Sequence, residues 1–200
     1  MNANAEDFEI KDRLKLIESM MAEGRRSTES WGWTFVLWGL AYYVATAWAT
    51  LGDSKLAWPV TMIATSIILA FGIKRTTAGQ PETTLGRAIG AVWCAMGISL
   101  FVVLVSLAMS DHYDSRIFVA IIGAMLGTAN AASSFILKWK MQFASAVVWL
   151  AAAVAACFGT EDQAGIAFLA ATFFSQIVFG IYAMICESRR RRRQGGAVHA

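Results

Sequence analysis

Two hundred residues that are 57% hydrophobic and 16% charged, with a mean hydropathy of +0.52, exclude an ordinary soluble domain. The net charge is only +3, but its distribution is uneven. None of the 31 charged residues falls inside six apolar stretches, 32–51, 57–73, 88–109, 117–137, 141–159 and 164–186.

A helix needs about 20 apolar residues to cross a ~30 Å hydrocarbon core, and backbone groups in lipid must be satisfied internally. Each stretch is therefore predicted to be a helix; the alternating segments of a barrel do not occur. The expected fold is all-α: a polytopic membrane protein, a six-transmembrane-helix up-and-down bundle with an N-terminal cytoplasmic amphipathic helix. Residues 1–30 form that helix and a hinge, 31–187 the membrane domain and 188–200 an Arg-rich tail.

In chain order, residues 5–23 come first. Apolar Ile10, Leu14, Ile17 and Met21 recur at helical spacing among Glu, Asp, Lys and Arg, with Asn4 as a cap and Gly24 as the stop. This seam is a candidate docking face. It lies on the inner leaflet, or it meets a protein partner or a second copy through residues 5–24. The first 30 residues carry seven acids and five bases, without a signal-peptide pattern, so the first span is expected to act as an uncleaved signal anchor.

Trp31 and Trp33 suit an interfacial aromatic belt, and Gly39 beside Trp38 permits a close helix approach. Ile17-Glu18-Ser19-Met20-Met21, the charged hinge, Trp31-Gly32-Trp33 and Leu37-Trp38-Gly39 together resemble a set of small uncharacterised bacterial membrane proteins, over roughly residues 14–45. The resemblance implies a bacterial inner-membrane setting and six helices, and it carries no activity.

The second span is short, at 17 residues; it runs upright or borrows a flanking turn, with Pro59 in its first turn. A polar loop (74–87) follows. Asp114 or Ser115 is placed to cap the fourth span, and Thr160 to Gln163 read as a capping box for the sixth. Trp38, Trp93 and Trp149 stand 55 and 56 residues apart, and Phe71-Gly72-Ile73 recurs as Phe179-Gly180-Ile181, a faint sign of three repeated hairpins. Cys94, Cys157 and Cys186 read as small packing residues within spans.

Of 17 basic residues, 15 fall in the N-terminal segment, the second and fourth loops and the tail; only Lys55 and Arg116 lie on the opposite side. The positive-inside rule places both termini in the cytoplasm; that the membrane is a bacterial inner membrane is what the resemblance implies. Arg189, Arg190, Arg191, Arg192 and Arg193 anchor the C-terminus there and are candidate contacts for lipid head groups; a nucleic-acid partner is not expected.

No catalytic residues, cofactor or metal site are assigned. The only histidines are His112 and His199, there is no GxxxxGK[ST] or GxGxxG, and no ionisable group stands at mid-depth. Asp111 to Asp114 with Glu161 and Asp162 read as solvated caps. Neutral polar residues remain: Asn130, Gln176, Ser134, Ser175 and Tyr42 make a candidate intramembrane polar pocket between the fourth and sixth spans, or serve as interhelical glue. Gly123/Gly127, Gly86/Gly90 and Ala151/Ala155 offer small-residue faces, for packing within the bundle or between protomers. The expected function is a non-enzymatic scaffold, accessory or regulatory protein among membrane lipids. The alternative is a passive facilitator for a small neutral or lipid-like solute.

Overall fold

The computed structural model describes residues 3–54, 56–77, 84–110 and 114–197. In order they form α1 (Ala3–Ser30), α2 (Gly32–Gly52), α3 (Ala57–Thr77), α4 (Thr84–Met109), α5 (Ser115–Leu137), α6 (Lys140–Phe158), α7 (Glu161–Thr172), a π-helical turn (Phe173–Val178) and α8 (Phe179–Ala197). Among the described residues, five helical runs are long and apolar enough to cross a membrane, the last being continuous from Glu161 to Arg190. The sixth apolar helix, Ala57–Ile73, gains its length from the polar turn that carries α3 on to Thr77. The chain is a helical multi-pass membrane protein.

Local chemistry sets the helix ends. The Asp114 side chain accepts from the Arg116 backbone N–H at 2.8 Å and caps α5. Thr160 and Gln163 exchange reciprocal bonds ahead of α7: Thr160 N–H donates to Gln163 Oε1 at 3.0 Å, and Gln163 N–H to Thr160 Oγ1 at 3.4 Å. Between α5 and α6 the chain reverses over two residues. Lys138 takes a left-handed conformation (φ 48°), and the Trp139 N–H donates to the Ser134 carbonyl at 3.0 Å.

Glycines fix the closest helix crossings. A Cβ on Gly123 would lie 2.8 Å from the Trp149 carbonyl oxygen, and one on Gly127 would lie 2.7 Å from Leu150 Cγ, so this small face is used inside the bundle against α6. Gly32 and Gly180 face each other the same way: a Cβ on either would lie 2.8 Å from the other's carbonyl oxygen, which brings α2 onto α8. Gly39 likewise lets α2 approach Gln176 and Ile177.

Two apolar clusters follow from this packing. From mid-depth towards the end with Asp114 and Glu161, Tyr42, Trp58, Phe118, Phe168 and Trp149 form a chain of rings with centroids 4.8–6.4 Å apart. Near the end with Arg87 and Lys138, Phe35, Ile89, Leu137, Trp139 and Phe179 pack together.

Several expectations need correction. Gly24 does not stop the first helix, and Asn4 lies inside it; α1 runs on to Ser30, so the expected hinge is helical and the break comes at Trp31. Gly24 is instead a contact, where a Cβ would meet Leu85 Cδ2 and Leu137 Cδ2 at 2.5 and 2.8 Å. The three cysteines are not core packing: Cys94 and Cys157 are exposed and Cys186 is half-buried. Ala151 and Ala155 face outward; the buried face of α6 is Ala146, Ala152, Ala153 and Ala156. The suspected hairpin repeat is not matched in environment, since Trp149 is fully buried where Trp38 and Trp93 are half-buried, and Phe179 is buried where Phe71 is exposed.

Candidate intramembrane site

α4 stands apart from the rest of the bundle. Only 11% of its apolar window is buried, against 56% for α5. It leans on α5, barely meets α3, and reaches α2 through side chains, with the Phe35 and Trp93 rings edge-to-face at 5.6 Å. The reason lies partly in its sequence. A Cβ on Gly90 or Gly97 would find nothing within 4 Å, so this side of α4 is bare where α5 is interlocked. Gly90, expected to share a packing face with Gly86, meets no neighbour, and both border the empty space between the helices.

That space is a cavity of about 790 Å³ between α2, α3, α4 and α5. Its size falls within the ~300–1,000 Å³ typical of small-molecule sites. The wall is mostly aliphatic and aromatic, with Trp38, Trp58, Met62 and Trp93 among the inner residues. Ile63, Ile67, Ile98 and Phe101 line it yet are exposed, so it opens sideways between α3 and α4. Among the described residues, no Asp, Glu, Lys, Arg or His lines it.

The polar groups divide into two sets. On the cavity wall, Thr34 Oγ1 donates to the Trp31 carbonyl (2.7 Å) and Ser66 Oγ to the Met62 carbonyl (2.8 Å), each satisfied by its own helix. Trp93 Nε1 donates across to Ser133 Oγ at 3.1 Å and ties α4 to α5. Tyr42 and Gln176 also line the wall. Both are well buried, and among the described residues neither side chain has a hydrogen-bond partner.

The second set lies behind the wall, on α5, α6 and the last span. Asn130 Nδ2 donates to the Leu126 carbonyl at 2.8 Å, leaving Oδ1 unpaired. Ser134 Oγ donates to the Ala131 carbonyl, and Ser175 Oγ donates to the Ser145 carbonyl of α6 at 3.3 Å. Both amide atoms of Gln142, Trp149 Nε1 and Thr172 Oγ1 are buried without a partner within the protein. The π-helical turn stands at the border: Ser175 faces α6, and its neighbour Gln176 reaches the cavity and α2. Such turns change helix register and recur at functional sites.

The five residues expected to form one pocket are therefore split. Tyr42 and Gln176 line the cavity; Asn130, Ser134 and Ser175 lie in the packed half. The cavity is bounded mainly by the first four spans, with Gln176 contributed by the last, rather than by the fourth and sixth alone. Gly90, Gly97, Trp93 and Gln142 were not singled out as site residues. The spacing Gly86, Gly90, Gly97 along one side of α4 is a sequence signal for the two glycines; it does not mark Trp93 or Gln142.

Comparison with protein-family models, curated proteins and solved structures found no match to this chain.

On α1, Ile10, Leu14 and Ile17 are exposed and Met21 is half-buried, while the helix is held at its other end by Gly24 against α4 and α5. In the tail, Arg189 and Arg192 are exposed and Arg190 is engaged within the protein; the side chains of Arg191 and Arg193 lie outside the described residues, as do Asp111 to Tyr113. Asp114 is occupied with its cap and with Arg116, whose Nη2 lies 3.1 Å from Oδ2. Those bonds hold its carboxyl below the usual carboxylate range.

Proposed function

We propose that this is a non-enzymatic protein of the bacterial cytoplasmic membrane that takes a lipid-like molecule from the bilayer into the cleft between α2, α3 and α4. The observation that carries this reading is a large apolar cavity that opens sideways between α3 and α4. A solute entering from water would have to cross an uncharged, mostly apolar wall, whereas one already in the bilayer leaves one apolar surroundings for another. Both termini are assigned to the cytoplasm; the clustering of basic residues in alternate loops supports that orientation.

The test is native mass spectrometry of the full chain released from membranes in mild detergent. Wild type is expected to retain one lipid-sized adduct. Gly90→Phe, which projects a ring into the cavity without meeting a neighbour at Cβ, is expected to lose it. Equal adducts on both proteins would overturn the reading.

A second reading, as a scaffold or accessory protein, is favoured by one observation: the exposed Ile10, Leu14, Ile17 seam on a helix whose far end is clamped to the bundle. An environment-sensitive dye on Ile17→Cys separates its uses. Quenching by spin-labelled lipid assigns the seam to the bilayer; a buried signal that such lipid does not quench assigns it to a protein partner or a second copy.

A further inference from the structure

We infer that the molecule taken into the cleft is neutral and largely apolar but carries a carbonyl or hydroxyl oxygen within its apolar body, recognised at mid-membrane by the Gln176 amide and the Tyr42 hydroxyl. This rests on the cleft being a ligand site.

Among the well-buried side chains of the wall, Thr34 is satisfied by its own helix, while Tyr42 (6% exposed) and Gln176 (3% exposed) have no hydrogen-bond partner among the described residues. Both stand at mid-depth. Tyr42 is ten residues from either end of Gly32–Gly52, and Gln176 is near the middle of Glu161–Arg190. At ~1.5 Å per residue, each is about 15 Å or more from either end of its span.

The two groups are also close to one another. A Cβ on Gly39 would lie 2.9 Å from Gln176 Cβ, and Gly39 precedes Tyr42 by three residues on one face of α2. That spacing is about 4.5 Å along the axis.

An unpaired amide in hydrocarbon is unfavourable, so a partner is wanted at this depth. Phospholipid does not supply it: its head group and ester oxygens lie at the interface, and its chains carry no acceptor. Glutamine offers two donors and an acceptor, and tyrosine one hydroxyl, a set that matches a ketone, quinone-type carbonyl or alcohol. A charged group is disfavoured, because no charged residue lines the cleft among the described residues.

The experiment uses the full chain in phospholipid nanodiscs and two photoactivatable probes: a long-chain ketone with its carbonyl at mid-chain, and the alkane of equal length. Wild type is expected to take more ketone than alkane. Gln176→Leu and Tyr42→Phe should each lower ketone labelling about three- to fifteen-fold, the range of single intramembrane hydrogen bonds, and leave the alkane unchanged. Tyr42→Phe keeps the ring beside Trp38, Trp58 and Phe168, so it guards against a folding defect. Gln176→Asn, which retains the amide, should restore part of the preference.

If Gly90→Phe blocks both probes while Gln176→Leu and Tyr42→Phe alter neither, the cleft binds hydrocarbon, the two polar groups are met by water, and this inference is overturned while the cleft reading stands. If Gly90→Phe blocks neither probe, the cleft reading falls and this inference with it.

Discussion

Glycine-to-alanine substitution at three positions gives three different results if the packing described above is right. At Gly123 the new Cβ meets the Trp149 carbonyl oxygen at 2.8 Å, Ala153 Cβ at 3.0 Å and Ala153 N at 3.1 Å. Two of those atoms are backbone, so α5 and α6 must separate. At Gly127 the obstacle is the Leu150 side chain, with Cγ at 2.7 Å and Cδ2 at 2.8 Å; that residue is exposed and free to rotate aside. At Gly90 nothing lies within 4 Å.

Each substitution gains about 1 kcal/mol of helix propensity. Against that, overpacking a fitted contact costs about 1–3 kcal/mol. Gly123→Ala should therefore lose roughly 1–2 kcal/mol of stability, Gly127→Ala should change it little, and Gly90→Ala should raise it by up to about 1 kcal/mol. Unfolding in mixed micelles by titration with a denaturing detergent, followed by tryptophan fluorescence, reads the series; Trp149 sits in the α5–α6 contact as a fully buried reporter. Gly90→Ala as damaging as Gly123→Ala would mean that α4 is as tightly packed as α5, and the cleft would not exist.

Four other outcomes are expected. Thr160→Ala removes the hydroxyl half of the capping box and should cost about 1 kcal/mol in the same assay, with Thr160→Ser retaining most of it. Lys138→Gly relieves a left-handed backbone position (φ 48°) and should stabilise the α5–α6 turn by about 1 kcal/mol; a loss instead would show that the Lys138 side chain matters more than its backbone. Asp114 has a depressed folded pKa, so its contribution is fully present above the unfolded value of about 3.9 and is lost as pH falls through the lower folded value; thermal stability should be flat from neutral pH to about 5 in this respect, and Asp114→Asn should remove the acid-limb component due to this cap. Gln142→Leu replaces a fully buried amide with no partner on either atom and should stabilise by about 1–3 kcal/mol; destabilisation would show that a buried water holds that amide.

The legible parts of this fold are those set within a few residues. Charge-free runs of about 20 residues identify spanning helices because hydrocarbon tolerates little else. Thr160 and Gln163 read as a box, and Asp114 as a cap, because donor and acceptor lie two or three residues apart. The site was less legible for a specific reason. Gly123-x-x-x-Gly127 and Gly86-x-x-x-Gly90 are the same local signature, yet the first interlocks with α6 and Gly90 of the second borders open space. What distinguishes them is whether a partner helix arrives, and that is decided far along the chain. Gly24 misled in the same way: it follows an apolar-periodic segment, where glycine often ends a helix, but here its missing side chain serves contact with Leu85 and Leu137. The π-helical turn has no sequence mark in Phe173–Val178.

The bundle is uneven in a way that bears on what it does. α5, α6 and the last span close on one another through Gly123, Gly127 and the alanines of α6, and there the chain buries Asn130, Gln142, Thr172 and Ser175. α3 and α4 stay apart, and their shared space is apolar. If the polar residues served only as glue, they would be expected to pair across helices, as Trp93 does with Ser133 and Tyr43 with the Leu169 carbonyl. Gln176 does not pair, although it lies against α2, with Tyr42 a turn away. A residue kept as glue would gain from reaching a protein acceptor; a residue kept for a ligand must leave its amide open. The register change in Phe173–Val178 makes that division possible, since it directs Ser175 into the closed half and Gln176 towards the open one.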